Sequence, residues 1–240
     1  MRKLRFTDFN CLQSYAFIDS PDAHKRIEQN HRFRDFIMDS GAFTYMNGKS
    51  GDNVDWDEYV ERYAKTINDY NINKFIELDI DSVVGIKEVE RLRKKLEQLT
   101  NKQPIVVWHK SRGLEYWDKM VEQYPYIAIG GIVTNEIKHS EYGIFRPLIK
   151  KAHDNDTKVH GLGFTNLKLI DHFKFDSVDS SSCNPTRFGA VSYFTGTTII
   201  NKKVPKGRRL DYVKATQQSF GAWVQFANYL EGYDCGKIEM

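Results

Sequence analysis

The sequence predicts an α/β fold built on a parallel sheet, and within that class a compact (β/α)8 barrel. Three observations predict it. Short apolar runs alternate with helix-like segments at a spacing of roughly 25 to 35 residues, the rhythm of βα units. About seven or eight such units fit into the 240 residues, a number that favours a closed barrel over an open sheet. The apolar runs also end in acids, histidines or glycine pairs, and the carboxyl ends of parallel strands are where such barrels carry their chemistry.

Taken in order, residues 4–7 suggest a first short strand and 22–33 a polar helix. Residues 36–43 form an apolar strand that ends in Asp39 and a glycine turn. Trp56, Tyr59, Val60, Tyr63, Ala64 and Ile67 recur at helical spacing over 56–70, with Asp55 as N-cap. Residues 74–79 are the next strand, ending in Asp79, and 89–99 a charged helix. A strand over 104–109 ends in His109, and a helix follows over 114–123. The strand over 126–131 ends in Gly130 and Gly131, with a helix over 142–154. Residues 158–163 are a strand, 167–173 a helix and 174–180 a strand carrying Asp176 and Asp179. Side chains three apart on a strand point to opposite faces, so these two acids serve different purposes. Residues 190–203 read as a hairpin or an eighth strand, 204–209 as a basic turn and 211–230 as a closing helix. One domain covers 1–240, without a linker, and 190–240 forms its basic hairpin and closing helix.

Composition narrows the function classes. Hydrophobic residues make up 40% and charged residues 28%, a globular balance. No apolar run approaches the ~20 residues of a membrane span, and the N-terminus lacks the apolar core of a signal peptide. Cys11, Cys183 and Cys235 lie far apart, without disulfide or metal spacing, which points to a reducing, cytoplasmic setting. A net charge of +3 means that any affinity for nucleic acid must come from local patches.

The strand ends then read Asp39, Asp79, His109, Gly130-Gly131, His160 and Asp179. Any one of these has a structural explanation, since an Asp at a strand end commonly caps the next helix. Barrel geometry would bring all of them to one mouth. Paired carboxylates at an anomeric carbon can act as nucleophile and proton carrier in glycosyl transfer. Carboxylates with histidine could instead bind a divalent ion. Glycine turns let the backbone approach a flat ligand closely, and Phe43, Tyr45 or Trp108 could stack on it.

In this order the motifs resemble those of the tRNA-guanine transglycosylases. Asp39-Ser40-Gly41-Ala42-Phe43 resembles that family's Asp-Ser-Gly-Gly-Phe. Ile129-Gly130-Gly131-Ile132, followed by Glu136, is similar to its Val-Gly-Gly-Leu loop and nearby Glu. Gly161-Leu162-Gly163-Phe164-Thr165 is similar to its Gly-Val-Gly-Thr segment. Asp176 and Asp179 keep its pair of aspartates, and Pro185-Thr186-Arg187 resembles its Pro-Thr-Arg, displaced by about two residues. The set spans about residues 36–190.

The resemblance implies a pentosyltransferase that exchanges guanine in a nucleic acid for a 7-deazaguanine through a covalent sugar–enzyme intermediate. It implies Asp179 as nucleophile and Asp39 as proton carrier. Asp79 would bind the base edge, Gly130, Gly131 and Ile132 would offer backbone contacts, and Phe43 would stack. His109 stands where the family has a glutamine that reads the base carbonyl. The family's structural zinc site is absent: only Cys235 lies near the C-terminus, and no histidine follows His172. No cofactor is therefore expected. Because that zinc subdomain serves tRNA docking and dimerisation, its absence favours DNA over tRNA, as in relatives that modify DNA. A homodimer or a helper subunit remains open as a partner.

Phosphate contacts are expected from Lys202, Lys203, Lys206, Arg208 and Arg209, with Arg187, Lys110 and Arg112 as further candidates. Reaching C1′ in a duplex requires extrusion of the nucleotide or a single strand. Four other readings stay open: a tRNA-guanine transglycosylase proper, a hydrolase that removes a base without replacing it, a metal-dependent enzyme using Asp39, Asp79 and His109, and a non-catalytic nucleic-acid-binding subunit.

Overall fold

A computed structural model describes residues 2–3, 5–46, 54–180, 185–205, 207, 209–232 and 238–239, the side chains at 2, 3, 43, 46, 187, 238 and 239 excepted. Lys206 and Arg208 lie outside the described residues, as do Cys183 and Cys235, and so do the side chains of Phe43 and Arg187.

Parallel strands form the centre. β1 (Arg2–Lys3) is followed by β2 (Asn10–Ser14), α1 (Pro21–Glu28), β3 (Asp35–Asp39) and α2 (Ala42–Met46). Next come α3 (Trp56–Asp69), α4 (Asp81–Val84) and α5 (Ile86–Thr100), then β4 (Val106–Trp108) and α6 (Leu114–Gln123). β5 (Tyr126–Ile129), α7 (Phe145–His153), β6 (Lys158–Gly161), α8 (Ile170–Phe173) and β7 (Ser177–Val178) continue the alternation. β8 (Ala190–Phe194), β9 (Ile199–Lys203), α9 (Tyr212–Leu230) and β10 (Ile238–Glu239) complete it.

β2 pairs with β3, and β4 to β7 form one sheet, all parallel and in chain order. Two parallel bridges, Met38 with Phe75 and Ile76 with Ile105, link the two sheets. The Ile76 amide donates to the Met38 carbonyl at 2.9 Å, and the Glu77 amide to that of Ile105 at 3.0 Å. The result is a run of parallel backbone from β2 to β7. Among the described residues no ladder joins β7 back to β2. The architecture is a mixed α/β fold with parallel sheets.

Strand alternation sorts the apolar residues into two layers. Ile37, Ile76, Ile105, Val107 and Ala128 cluster on one face, with Leu12 and Leu162 packed against them. Met38, Phe75, Val106, Trp108, Ile127 and Ile129 face the other way, into the helices. α3 buries Tyr59, Val60, Tyr63, Ala64 and Ile67, a stripe at spacings of one, three and four. Its N-cap is Asp55, whose carboxylate accepts from the Glu58 amide at 3.0 Å.

Several expectations shift. The strand expected over 4–7 begins at Leu4, which lies outside the described residues, and Phe6–Asp8 form a 3-10 turn; the central parallel run starts at Asn10–Ser14. β2 carries Asn10, Gln13 and Ser14, so its polar content hides it from an apolar search. Residues 190–203 are an antiparallel hairpin, not an eighth parallel strand. Its Ser192 amide and hydroxyl meet Ser219 and Trp223 of α9, which draws the hairpin onto that helix. α9 returns to the N-terminal segment: Asn228 donates to the Asp8 carbonyl at 3.0 Å, and Arg34 bonds Glu231 at 2.6 Å. Among the described residues no helix is long and apolar enough to cross a membrane.

Candidate active site

The carboxyl ends of the parallel strands open into a cavity of about 1170 Å³. Asp39, Asp79, His109, Gly130, Gly131, Ile132 and Asp179 all line it. Residues spread over 140 positions of sequence thus line one cavity, because each sits at or within three residues of the carboxyl end of its strand.

Asp39 ends β3, and the Gly41 amide donates to its Oδ2 at 3.1 Å. Desolvation pushes its carboxyl up to about 6, and the charges of Asp179 and Asp79 add to this against the pull of Ser14 and the Gly41 amide. A carboxyl at that value can hold or release a proton near neutrality.

Asp179 follows β7. Its Oδ1 accepts from the Gly163 amide at 2.6 Å and lies 3.3 Å from His160 Nε2. Both contacts fall on the same oxygen, and among the described residues Oδ2 meets no hydrogen-bond partner. Gly163 itself has φ +67°, and a Cβ there would collide with Val133 Cγ2. Only glycine lets this backbone deliver its amide. Asp176 points away, as alternation predicts: it accepts from the Val159 amide at 2.7 Å and pairs with His153 at 2.8 Å.

His109 is clamped. Its Nε2 reaches Asp79 Oδ1 at 2.7 Å and its Nδ1 reaches Glu136 Oε2 at 2.8 Å. Burial alone would push its pKa down; the hydrogen bonds and charges of Asp79 and Glu136 outweigh it and hold His109 up at about 9. The imidazolium spends both N–H groups on carboxylates. While the clamp is closed, neither N–H is left for the base carbonyl that His109 is expected to read. Glu136 also accepts from the Ser111 amide at 2.7 Å; burial raises its pKa, but that amide and His109 bring it below the ordinary carboxylate value.

Arg112 is not a phosphate contact. Its side chain is 3% exposed and lies 2.9 Å from Asp81, 3.5 Å from Glu77 and 3.8 Å from Asp79. Burying so many carboxylates demands a buried cation, and Arg112 supplies it. Trp108 is fully buried against Trp117 and cannot stack on a ligand. Tyr45 meets Trp56 and Tyr59 edge-on. Lys110 pairs with Glu141 at 2.5 Å. Lys202, Lys203 and Arg209 are exposed and do not line the cavity; the Lys202 ammonium sits 5.2 Å from the centre of the Tyr193 ring.

Asp79, Asp81 and His109 place ligand atoms within 4.8 Å of one another, a spacing that could hold a divalent ion once His109 lost its proton. With that proton in place, His109 and Arg112 already balance the two acids. The sequence reading gave no part to Asp81, although its place two residues after Asp79 would have signalled it. Thr165, Asn166 and Lys168 also line the cavity and were missed, since loop residues after a strand carry no periodic signal. No protein-family model matches the chain, and no curated protein matches it.

Proposed function

We propose that the chain is a guanine-exchanging transglycosylase of nucleic acid, a pentosyltransferase, and that its parallel strands close as a barrel of the (β/α)8 kind whose eighth strand is not supplied by 190–203. The inward cluster drawn from β2 through β6 supports closure, because it is the packed interior such a barrel requires. One observation carries the activity: Asp39, whose desolvated carboxyl can trade a proton near neutrality, shares a cavity with Asp179, whose Oδ2 meets no hydrogen-bond partner among the described residues. The ordered motifs around both acids supply the substrate class.

In the first half-reaction Asp179 Oδ2 attacks C1′ of the target nucleotide. The bond from C1′ to the purine nitrogen breaks, its electron pair goes to the base, and the base takes the Asp39 proton. The sugar is left as an ester of Asp179. A 7-deazaguanine then gives its ring proton to Asp39 as its nitrogen attacks C1′, and the ester electron pair returns to Asp179. Asp79 faces the base edge, and Gly130, Gly131 and Ile132 supply backbone contacts. The cavity has room for an extruded nucleotide. DNA stands ahead of tRNA as the proposed polymer, and the labelled-base assay decides between them.

The test is exchange of radiolabelled guanine into bulk tRNA, duplex DNA and single-stranded DNA, with covalent trapping on denaturing gels. Label in DNA alone supports the reading, and label in tRNA alone overturns the polymer preference. An Asp179→Asn variant that exchanges base at the parental rate would refute the nucleophile.

A further inference from the structure

Behind Asp179 runs a chain of polar side chains that the exchange reaction above does not use. The Tyr126 hydroxyl lies 2.5 Å from Ser177 Oγ, which lies 2.5 Å from His160 Nδ1. His160 Nε2 reaches Asp179 Oδ1 at 3.3 Å. His160 is 1% exposed and is not part of the cavity wall. β-strand register sets the chain, since His160 on β6 stands directly opposite Ser177 on β7.

Donor and acceptor counting assigns the protons. A carboxylate at Asp179 accepts, so Nε2 carries hydrogen. Nδ1 is then an acceptor and takes the Ser177 proton, and Ser177 Oγ takes that of Tyr126. Each O–H and N–H is used once. Without this chain Nδ1 of a buried imidazole would have no partner, and the Nε2–H tautomer would rest on the carboxylate alone.

We propose that His160 is a positioning residue for Asp179: with the Gly163 amide it pins Oδ1, aims Oδ2 at C1′ and stabilises the carboxylate as it leaves the sugar. This rests on Asp179 being the nucleophile. While the ester exists, Oδ1 is a carbonyl oxygen and needs its donors less. When the bond from C1′ to Oδ2 breaks and the electron pair returns to Asp179, both donors are already in place. His160 therefore matters more for resolving the ester than for forming it. Ser177 and Tyr126 act through His160 by holding its tautomer.

The experiment uses the full chain with substrate polymer and follows ester formation and resolution by rapid quench. For His160→Phe we expect kcat to fall about tenfold to a hundredfold, the range for losing one hydrogen bond to a charged group. KM for the polymer should fall together with kcat, because a slowed resolution step lets the ester build up, so kcat/KM should stay within about twofold. The ester should accumulate to a higher level than in the parent. His160→Gln, which keeps a donor near Nε2, should recover most of the rate, and Ser177→Ala should fall between. A phenylalanine variant with parental kcat overturns the proposal and leaves the exchange reading intact, and so does a glutamine variant as slow as phenylalanine. A parent that forms no ester overturns both. If His160→Phe does not fold, Tyr126→Phe and Ser177→Ala carry the test, and parental rates in both refute it. Independently of activity, 15N spectra of His160 should show hydrogen on Nε2, and Ser177→Ala should redistribute it; hydrogen on Nδ1 in the parent refutes the chain.

Discussion

Replacing Asp39 by Asn should make the protein more stable at pH 8 while abolishing base exchange. Its carboxyl has moved from an ordinary 3.8 up to about 6, chiefly by desolvation. The folded protein thus binds a proton more tightly than the unfolded chain does. With pKa raised by folding, stability falls as pH rises from about 4 to 6 and stays reduced above that. At about 1.4 kcal/mol per tenfold change in proton affinity, the ionised carboxylate costs the fold about 3 kcal/mol. Asparagine removes the charge and keeps an acceptor for the Gly41 amide. The gain should therefore be about 2 to 3 kcal/mol at pH 8, and close to zero at pH 4. Urea unfolding of parent and variant across pH 4 to 8 measures it, and the difference between the two curves cancels every other titrating group. A difference that does not grow between pH 4 and pH 7 would refute the placement of Asp39 in a desolvated site. Growth together with full exchange activity in the variant would refute its role as proton carrier instead.

Three further expectations follow from the geometry. His109, held at about 9, contributes stability that is fully present below pH 6.5 and lost as pH rises through 9; the stability gap to His109→Gln should shrink over that interval in denaturant titrations. Gly130→Ala should cost about 1 to 3 kcal/mol and weaken base binding, because its Cβ would meet the His109 ring at 2.8 Å and Val107 Cγ1 at 2.9 Å; calorimetry and base titration check both. Changing Lys202 and Lys203 together to Ala should lower the slope of log affinity against log salt by up to about 1.8 on duplex DNA, if each meets one phosphate; an unchanged slope would remove the β8–β9 hairpin from the polymer path.

Much of the site was legible because its residues obey a local rule. Asp39, Asp79, His109, Gly130 and Asp179 each stop an apolar run, and an acid, a histidine or a glycine pair at that point stands out against Val and Ile. The helices α3, α5 and α6 were visible for a similar reason, as their apolar residues recur at 3.6 spacing. β2 was not, because a strand that tolerates Asn10, Gln13 and Ser14 lacks the composition that marks its neighbours. The pattern of 190–203 suits a hairpin and a parallel strand equally, and the structure takes the hairpin.

What no local rule could supply was which groups share protons. Arg112 sits in sequence beside His109 and Lys110, where it resembles a solvent-exposed phosphate contact, yet it is 3% exposed among three carboxylates. The clamp on His109 joins residues 79, 109 and 136, and the chain behind Asp179 joins 126, 160, 177 and 179. By itself the sequence determined the alternation of strands and helices and the identity of the strand-end residues, because period and composition act over a few neighbouring positions. Only the tertiary structure decided the charge state of Asp39 and His109 and the oxygen on Asp179 left free, because desolvation and hydrogen bonding depend on distances of a few ångströms between residues far apart in the chain.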